Sequence, residues 1–113
     1  MYFGKKVRIL LKGQAKERYL TLKERNDKES QSILNSFYHT KNILLEHPQH
    51  GDPIRKELIP VSLKRADICN LYRIELPGYW RMLYTIESDA TTLYIFILNL
   101  MNHKEYNQLF GYK

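Results

Sequence analysis

Asn70-Leu-Tyr-Arg-Ile-Glu-Leu-Pro-Gly-Tyr-Trp-Arg-Met-Leu-Tyr-Thr-Ile86 is the stretch whose pattern decides the fold. Tyr72, Ile74 and Leu76 alternate with Arg73 and Glu75. After Pro77-Gly78-Tyr79, the residues Trp80, Met82, Tyr84 and Ile86 alternate with Arg81, Leu83 and Thr85. A period of two marks half-buried strands. For Ile74 to share a face with Met82, and Tyr72 with Tyr84, paired residue numbers must sum to an even value, so the turn holds an odd number of residues. Pro77-Gly78-Tyr79 satisfies this, with Gly78 as the position for φ > 0. The same register sets Glu75 opposite Arg81 and Arg73 on that face one pair further from the turn. Two guanidinium groups and a carboxylate are thus expected on one exposed sheet face, with Tyr72, Ile74, Met82 and Tyr84 on the other.

Towards the C-terminus, Thr92 to Leu98 is apolar at nearly every position, the pattern of a central strand covered on both faces. Asn99 to Asn102 leads into a terminal helix with Tyr106, Leu109 and Phe110 inward and Gly111 as its stop. Towards the N-terminus, Lys5 to Leu11 reads as a strand with Val7, Ile9 and Leu11 on one face. A helix from Ala15 to about Arg25 buries Ala15, Tyr19 and Leu22, with Leu20 widening the stripe. Asn26-Asp27 breaks it and caps a second helix, roughly Lys28 to Glu46, whose inward face carries Ile33, Leu34, Phe37, Tyr38, Leu44 and Leu45. The short connection predicts an antiparallel helical hairpin laid on the sheet. His47 to Pro53 reads as a loop, and Glu57 to Leu63 as an edge strand with Leu58 inward and Pro60 forcing it to the margin. Lys64-Arg-Ala-Asp67 then reads as a turn. The expected fold class is α+β: an N-terminal strand and helical hairpin packed on a mainly antiparallel four-stranded sheet, with a short C-terminal helix.

The chain has 113 residues, which suits one domain spanning residues 1–113. No apolar run approaches the ~18 residues of a membrane span, and Met1 to Lys12 lacks the apolar core of a signal peptide. Cys69 is the single cysteine, excluding an internal disulfide and fitting a reducing compartment; a small residue leading into a strand is read as packing. The expected location is the cytoplasm. A formal net charge of +6 suits an acidic or polyanionic partner, and 14 of the 18 Lys and Arg residues lie within residues 1–65. The cations of the central hairpin are few and individually placed.

Leu-Tyr-Arg-Ile-Glu-Leu76, Tyr-Trp-Arg-Met-Leu-Tyr84 and a last apolar strand running into Asn-His-Lys-Glu-Tyr106 resemble the C-terminal half of the RelE/ParE toxin superfamily. The preceding strand and two helices are similar to that family as well. The resemblance implies the toxin of a toxin–antitoxin pair, a ribosome-dependent endoribonuclease cleaving mRNA by 2′-hydroxyl attack without a metal or other cofactor. It implies a cognate antitoxin and mRNA on the ribosome as partners, with no membrane and no small-molecule substrate. The alternatives within the same resemblance are a ParE-like toxin that binds DNA gyrase and a catalytically inactive toxin fold that binds an antitoxin.

Cleaving RNA without a metal requires deprotonating a 2′-hydroxyl, stabilising charge on the phosphorane and protonating the departing 5′-oxygen. Arg73 and Arg81 can hold phosphate oxygens through paired hydrogen bonds, and Arg81 matches a family arginine; as surface charges, both keep the sheet soluble. In His103-Lys104-Glu105-Tyr106, His103 is a candidate acid or base, Lys104 neutralises a phosphate, and Tyr106 stacks on a base, moves a proton or simply packs. Glu75 departs from the family pattern, standing where ribosome-dependent members carry a lysine. It either serves as a general base or neutralises Arg81. His47-x-x-His50-x-Asp52 carries metal-ligand residue types, but in a Pro/Gly loop without a cysteine it reads as surface histidines, and no metal is expected. Gly-rich phosphate loops, Gly-x-Ser-x-Gly elbows and Cys-x-x-Cys pairs do not occur in the sequence.

Overall fold

The computed structural model describes residues 4–111; the first three residues of the stretch read against a signal peptide lie outside them. In order the chain forms β1 (Lys6–Leu11), α1 (Gly13–Arg25), α2 (Lys28–Glu46), β2 (Asp52–Pro53), α3 (Val61–Arg65), β3 (Tyr72–Leu76), β4 (Trp80–Ser88), β5 (Thr92–Asn102) and α4 (His103–Phe110). The architecture is α+β, but the sheet has five strands rather than four, in the order β1-β5-β4-β3-β2. It is mixed: β1 runs parallel to β5, while the other pairings are antiparallel.

The central hairpin follows the parity argument. Tyr72 pairs with Tyr84, Ile74 with Met82 and Glu75 with Arg81, across the three-residue turn Pro77–Tyr79 in which Gly78 has φ 72°. Tyr84 and Met82 join the face covered by the helical hairpin, where Ala15, Leu22, Ile33, Phe37 and Leu44 pack against Leu93, Ile95, Ile97 and Leu100. Asp27 caps α2 by accepting a hydrogen bond from Ser30 N at 2.9 Å. The inward stripe is narrower than expected, for Leu20, Tyr38 and Leu45 are exposed. A helix lying on a sheet buries only the side it presents, and Tyr38 instead meets the Tyr19 hydroxyl at 2.9 Å on the surface.

The segment between α2 and β3 corrects the sequence reading. The loop expected over His47 to Pro53 ends in β2, where Asp52 and Pro53 pair with Arg73 and Tyr72. Proline is tolerated there because β2 is the sheet margin. Glu57 to Leu63 is no strand: Lys56–Leu58 is a 3-10 turn and α3 follows, with Leu58 exposed. Pro60 cannot donate to a ladder, its fixed φ suits a helix start, and β2 already occupies the outer edge of β3.

Beneath the sheet, Ile59, Leu71, Leu83, Met101 and Tyr106 form a second cluster with Leu63, Leu109 and Phe110. β5 reaches this layer through a bulge. Leu83 pairs with Asn99 but Tyr84 with Ile97, leaving Leu98 as the extra residue. The bulge shifts parity, so that Leu100 joins Leu93, Ile95 and Ile97 on the helical side while Met101 faces α4. The expected cover on both faces of β5 fails at Tyr94 and Phe96, which are half-buried and stack at 5.8 Å. No described helix is long and apolar enough to cross a membrane.

Candidate functional site

On the face opposite the helical hairpin, β3 and β4 carry Arg73, Glu75 and Arg81, and α4 closes over them. The start of α4 is held from both sides. Asn102 and Glu105 form a capping box, with Glu105 N donating to Asn102 Oδ1 at 2.9 Å and Asn102 N donating to Glu105 Oε1 at 3.1 Å. The other carboxylate oxygen of Glu105 takes Arg18 Nη2 of α1 at 2.6 Å, and the Arg18 guanidinium lies 5.1 Å from the Trp80 ring centroid. Gln14 continues the ladder where β1 ends, accepting from Leu100 N at 2.8 Å and donating to Leu100 O at 2.9 Å. These contacts fix α4 relative to the hairpin.

Tyr106 is buried between the two arginines. Arg73 Nη1 donates to Tyr106 Oη at 3.1 Å, and the Arg81 guanidinium stands over the same ring, 4.9 Å from its centroid. Each arginine also meets a carboxylate at 3.8 Å, Arg73 that of Asp52 and Arg81 that of Glu75. The alternation predicts exposed guanidiniums, yet the Arg81 side chain is only 21% exposed and that of Arg73 33%. The cover comes from the α4 layer, which strand parity cannot register. Hydrogen bonding to Tyr106 is the main cause holding the Arg73 pKa above its ordinary value, with Glu75 and Asp52 adding to it. Nε of both arginines is buried and finds no hydrogen-bond partner among the described residues. Buried polar groups are normally paired, so these two donors are a cost of the arrangement, while the partly exposed guanidinium ends, 33% and 21% exposed by side chain, are the groups able to meet an acceptor-rich anion.

The other sequence-predicted residues lie around this pair. Glu75 is 66% exposed beside Arg81. His103 is exposed at the first position of α4, its ring 5.7 Å from that of Tyr79 in an edge contact. Lys104 is exposed beside it, without an ion pair or hydrogen bond among the described residues. The structure therefore brings Arg73, Glu75, Arg81 and Tyr106 into direct contact and links His103 through Tyr79.

Three contributors escaped sequence reasoning. Tyr79 accepts a hydrogen bond from Arg81 Nη1 on its backbone oxygen at 3.4 Å; its signal was the odd-numbered turn, which places one aromatic at the tip. Asp52 reaches Arg73 only because β2 pairs with β3, and Arg18 reaches Glu105 only through tertiary packing; no local pattern announces either. Cys69, expected to pack, is exposed. Its neighbour Asn70 does the anchoring, accepting from Thr85 Oγ1 and Ile86 N at 2.9 Å and donating to Ile86 O at 3.0 Å.

The His47-x-x-His50-x-Asp52 stretch is held as a structural loop. Tyr84 Oη donates to Pro48 O at 2.8 Å and accepts from Gly51 N at 2.9 Å, while burial pushes the Tyr84 phenol up to about 12. Among the described residues no three His, Cys, Asp or Glu side chains gather as a metal ion would require. No protein-family model, curated protein or solved structure matches the chain.

Proposed function

We propose that this protein is a RelE-like toxin of a toxin–antitoxin pair, a cytoplasmic endoribonuclease that cuts mRNA on the ribosome without a cofactor. The observation that carries the reading is the pair of partly exposed guanidiniums gathered about Tyr106 on one sheet face. In the proposed reaction the 2′-oxygen attacks the adjacent phosphorus, the P–O2′ bond forms as the P–O5′ bond breaks, and a 2′,3′-cyclic phosphate and a 5′-hydroxyl result. Arg81 and Arg73 bind the non-bridging oxygens, whose negative charge grows on the phosphorane. His103 and Tyr106 are the groups for proton movement to the leaving oxygen, Lys104 neutralises a flanking phosphate, and Glu75 is the carboxylate available to accept the 2′-proton. The partner is a small acidic or amphipathic antitoxin that covers the basic surface.

A second reading, a ParE-like or inactive toxin fold acting only by binding, is favoured by one contact. The Glu75–Arg81 pair at 3.8 Å sets a negative charge beside the best phosphate ligand. Glu75→Lys decides the role of Glu75: cleavage collapses if Glu75 is the base, whereas phosphate affinity rises if it is only a brake on Arg81. Sequencing RNA ends after brief induction in growing cells tests the nuclease reading directly, with discrete new 5′-hydroxyl ends as the expected result.

A further inference from the structure

We propose that Tyr79, at the tip of the β3–β4 hairpin, is the residue on which this site stacks a nucleobase of single-stranded RNA; the inference rests on the nuclease reading above. Tyr79 is 74% exposed, the most exposed large hydrophobic side chain among the described residues. Its backbone has φ 62°, a left-handed conformation that suits glycine and is an outlier for a bulky aromatic residue. Nothing in the packing requires a ring there, since so little of it is buried. Strain of this kind, held in place by surrounding structure, is a recurrent property of ligand-contacting residues.

The surroundings assign the strained tyrosine to the phosphate-binding pair. Its carbonyl accepts from Arg81 Nη1 at 3.4 Å, so the turn conformation and the position of the guanidinium are coupled. Its ring meets His103 at an interplanar angle of 63°, which places an aromatic surface beside the proposed proton-transfer group. Tyr79, Trp80, Leu76, Gly78, Glu75 and Arg81 line a concavity of about 420 Å³, open beside the cation that would hold the phosphate. A flat aromatic ring next to an arginine on a rigid sheet is the arrangement that binds unpaired bases, because every base offers a π-face and its phosphate needs a cation. The ring at residue 79 then positions the nucleotide, and Arg81 binds its phosphate.

Asparagine tolerates the left-handed conformation, so Tyr79→Asn removes the ring while keeping the turn, and Tyr79→Trp keeps a stacking surface. The probe is a short 2′-O-methyl oligoribonucleotide, which cannot be cleaved, compared with the same strand carrying abasic positions. Affinity is measured at low salt together with the thermal midpoint of each variant. The expected result is a loss of roughly 5- to 100-fold for Tyr79→Asn on the intact strand, recovery in Tyr79→Trp, no effect on the abasic strand, and an unchanged or higher thermal midpoint. Equal binding of the intact strand by wild type and Tyr79→Asn overturns the proposal, as does equal binding of intact and abasic strands, which would point instead to a protein partner at this tip. Cleavage on translating ribosomes is read separately: its absence removes the nuclease reading, whereas the oligonucleotide comparison decides the role of Tyr79.

Discussion

The two faces of the sheet are built on different principles. Beneath the α1–α2 hairpin the contacts are mainly apolar, with Phe37, Leu22, Met82 and Tyr84 closing around Ile95 and Ile97. On the α4 side the apolar cluster is smaller and its margin is occupied by Arg73, Arg81 and Tyr106. The first face stabilises the fold through burial. The second accepts half-buried guanidiniums with unpartnered Nε groups, an arrangement that costs stability, as functional sites commonly do. Changes on the first face are therefore expected to act on folding, and changes on the second on binding and chemistry.

The largest expected effect breaks the first face. Phe37→Ala deletes a ring with no solvent exposure, and a loss of about 3–5 kcal/mol is expected, read by denaturant unfolding. A loss below about 1 kcal/mol would mean that the helical hairpin packs loosely.

Arg81→Ala sharpens the contrast. By analogy with a lost oxyanion donor, cleavage should fall by a barrier increase of roughly 2–4 kcal/mol, while the denaturation midpoint moves far less than in Phe37→Ala. Single-turnover cleavage measured alongside unfolding checks both halves, and equal losses in stability would erase the distinction between the faces.

Tyr84 belongs to the first face yet holds the loop behind the second. Tyr84→Phe leaves Pro48 O and Gly51 N without their buried partner and should cost about 1–3 kcal/mol. The phenol also sets an alkaline limb. Its folded pKa of about 12 exceeds the ordinary 10.0, so the unfolded chain loses the proton first. Stability is therefore full below pH 10 and declines as pH rises towards 12. Unfolding midpoints across that range should fall in wild type and lose this component in Tyr84→Phe. Gly51→Ala disturbs the same clamp from the other side, since a Cβ there meets Tyr84 Oη at 2.9 Å and Arg73 O at 3.0 Å.

The smallest effect lies outside both faces. Asp89 accepts from Thr91 N at 2.9 Å and Thr92 N at 2.7 Å in the β4–β5 turn, and these backbone donors hold its carboxyl below the ordinary 3.8. Its contribution is present above that value and lost as pH falls through the lower folded one. Asp89→Ala should slightly flatten the acid limb of an unfolding titration, leaving neutral-pH cleavage unchanged.

What was legible in the sequence follows the same division. The Tyr72–Ile86 hairpin, its odd turn and the shared face of Arg73, Glu75 and Arg81 were readable because strand parity is local. The width of the helical stripes was not, because the sheet decides which flank of a helix is buried; hence Leu20, Tyr38 and Leu45 emerged exposed. β2 and the bulge at Leu98 were hidden for a related reason: two paired residues and one extra residue have no periodicity to detect. At the site, the residue types were apparent. The burial of Tyr106 between two arginines, the reach of Asp52 and the latch from Arg18 to Glu105 all depend on contacts far apart in sequence.

In the proposed reaction the arginine pair around Tyr106 acts on an RNA phosphate. Purified protein added to translating ribosomes, with mRNA ends mapped and their chemistry determined, tests it most directly. Discrete cuts bearing 2′,3′-cyclic phosphate and 5′-hydroxyl ends are expected, strongly reduced with Arg81→Ala. Intact mRNA from a preparation that still arrests growth when expressed would contradict it and leave a protein target as the explanation.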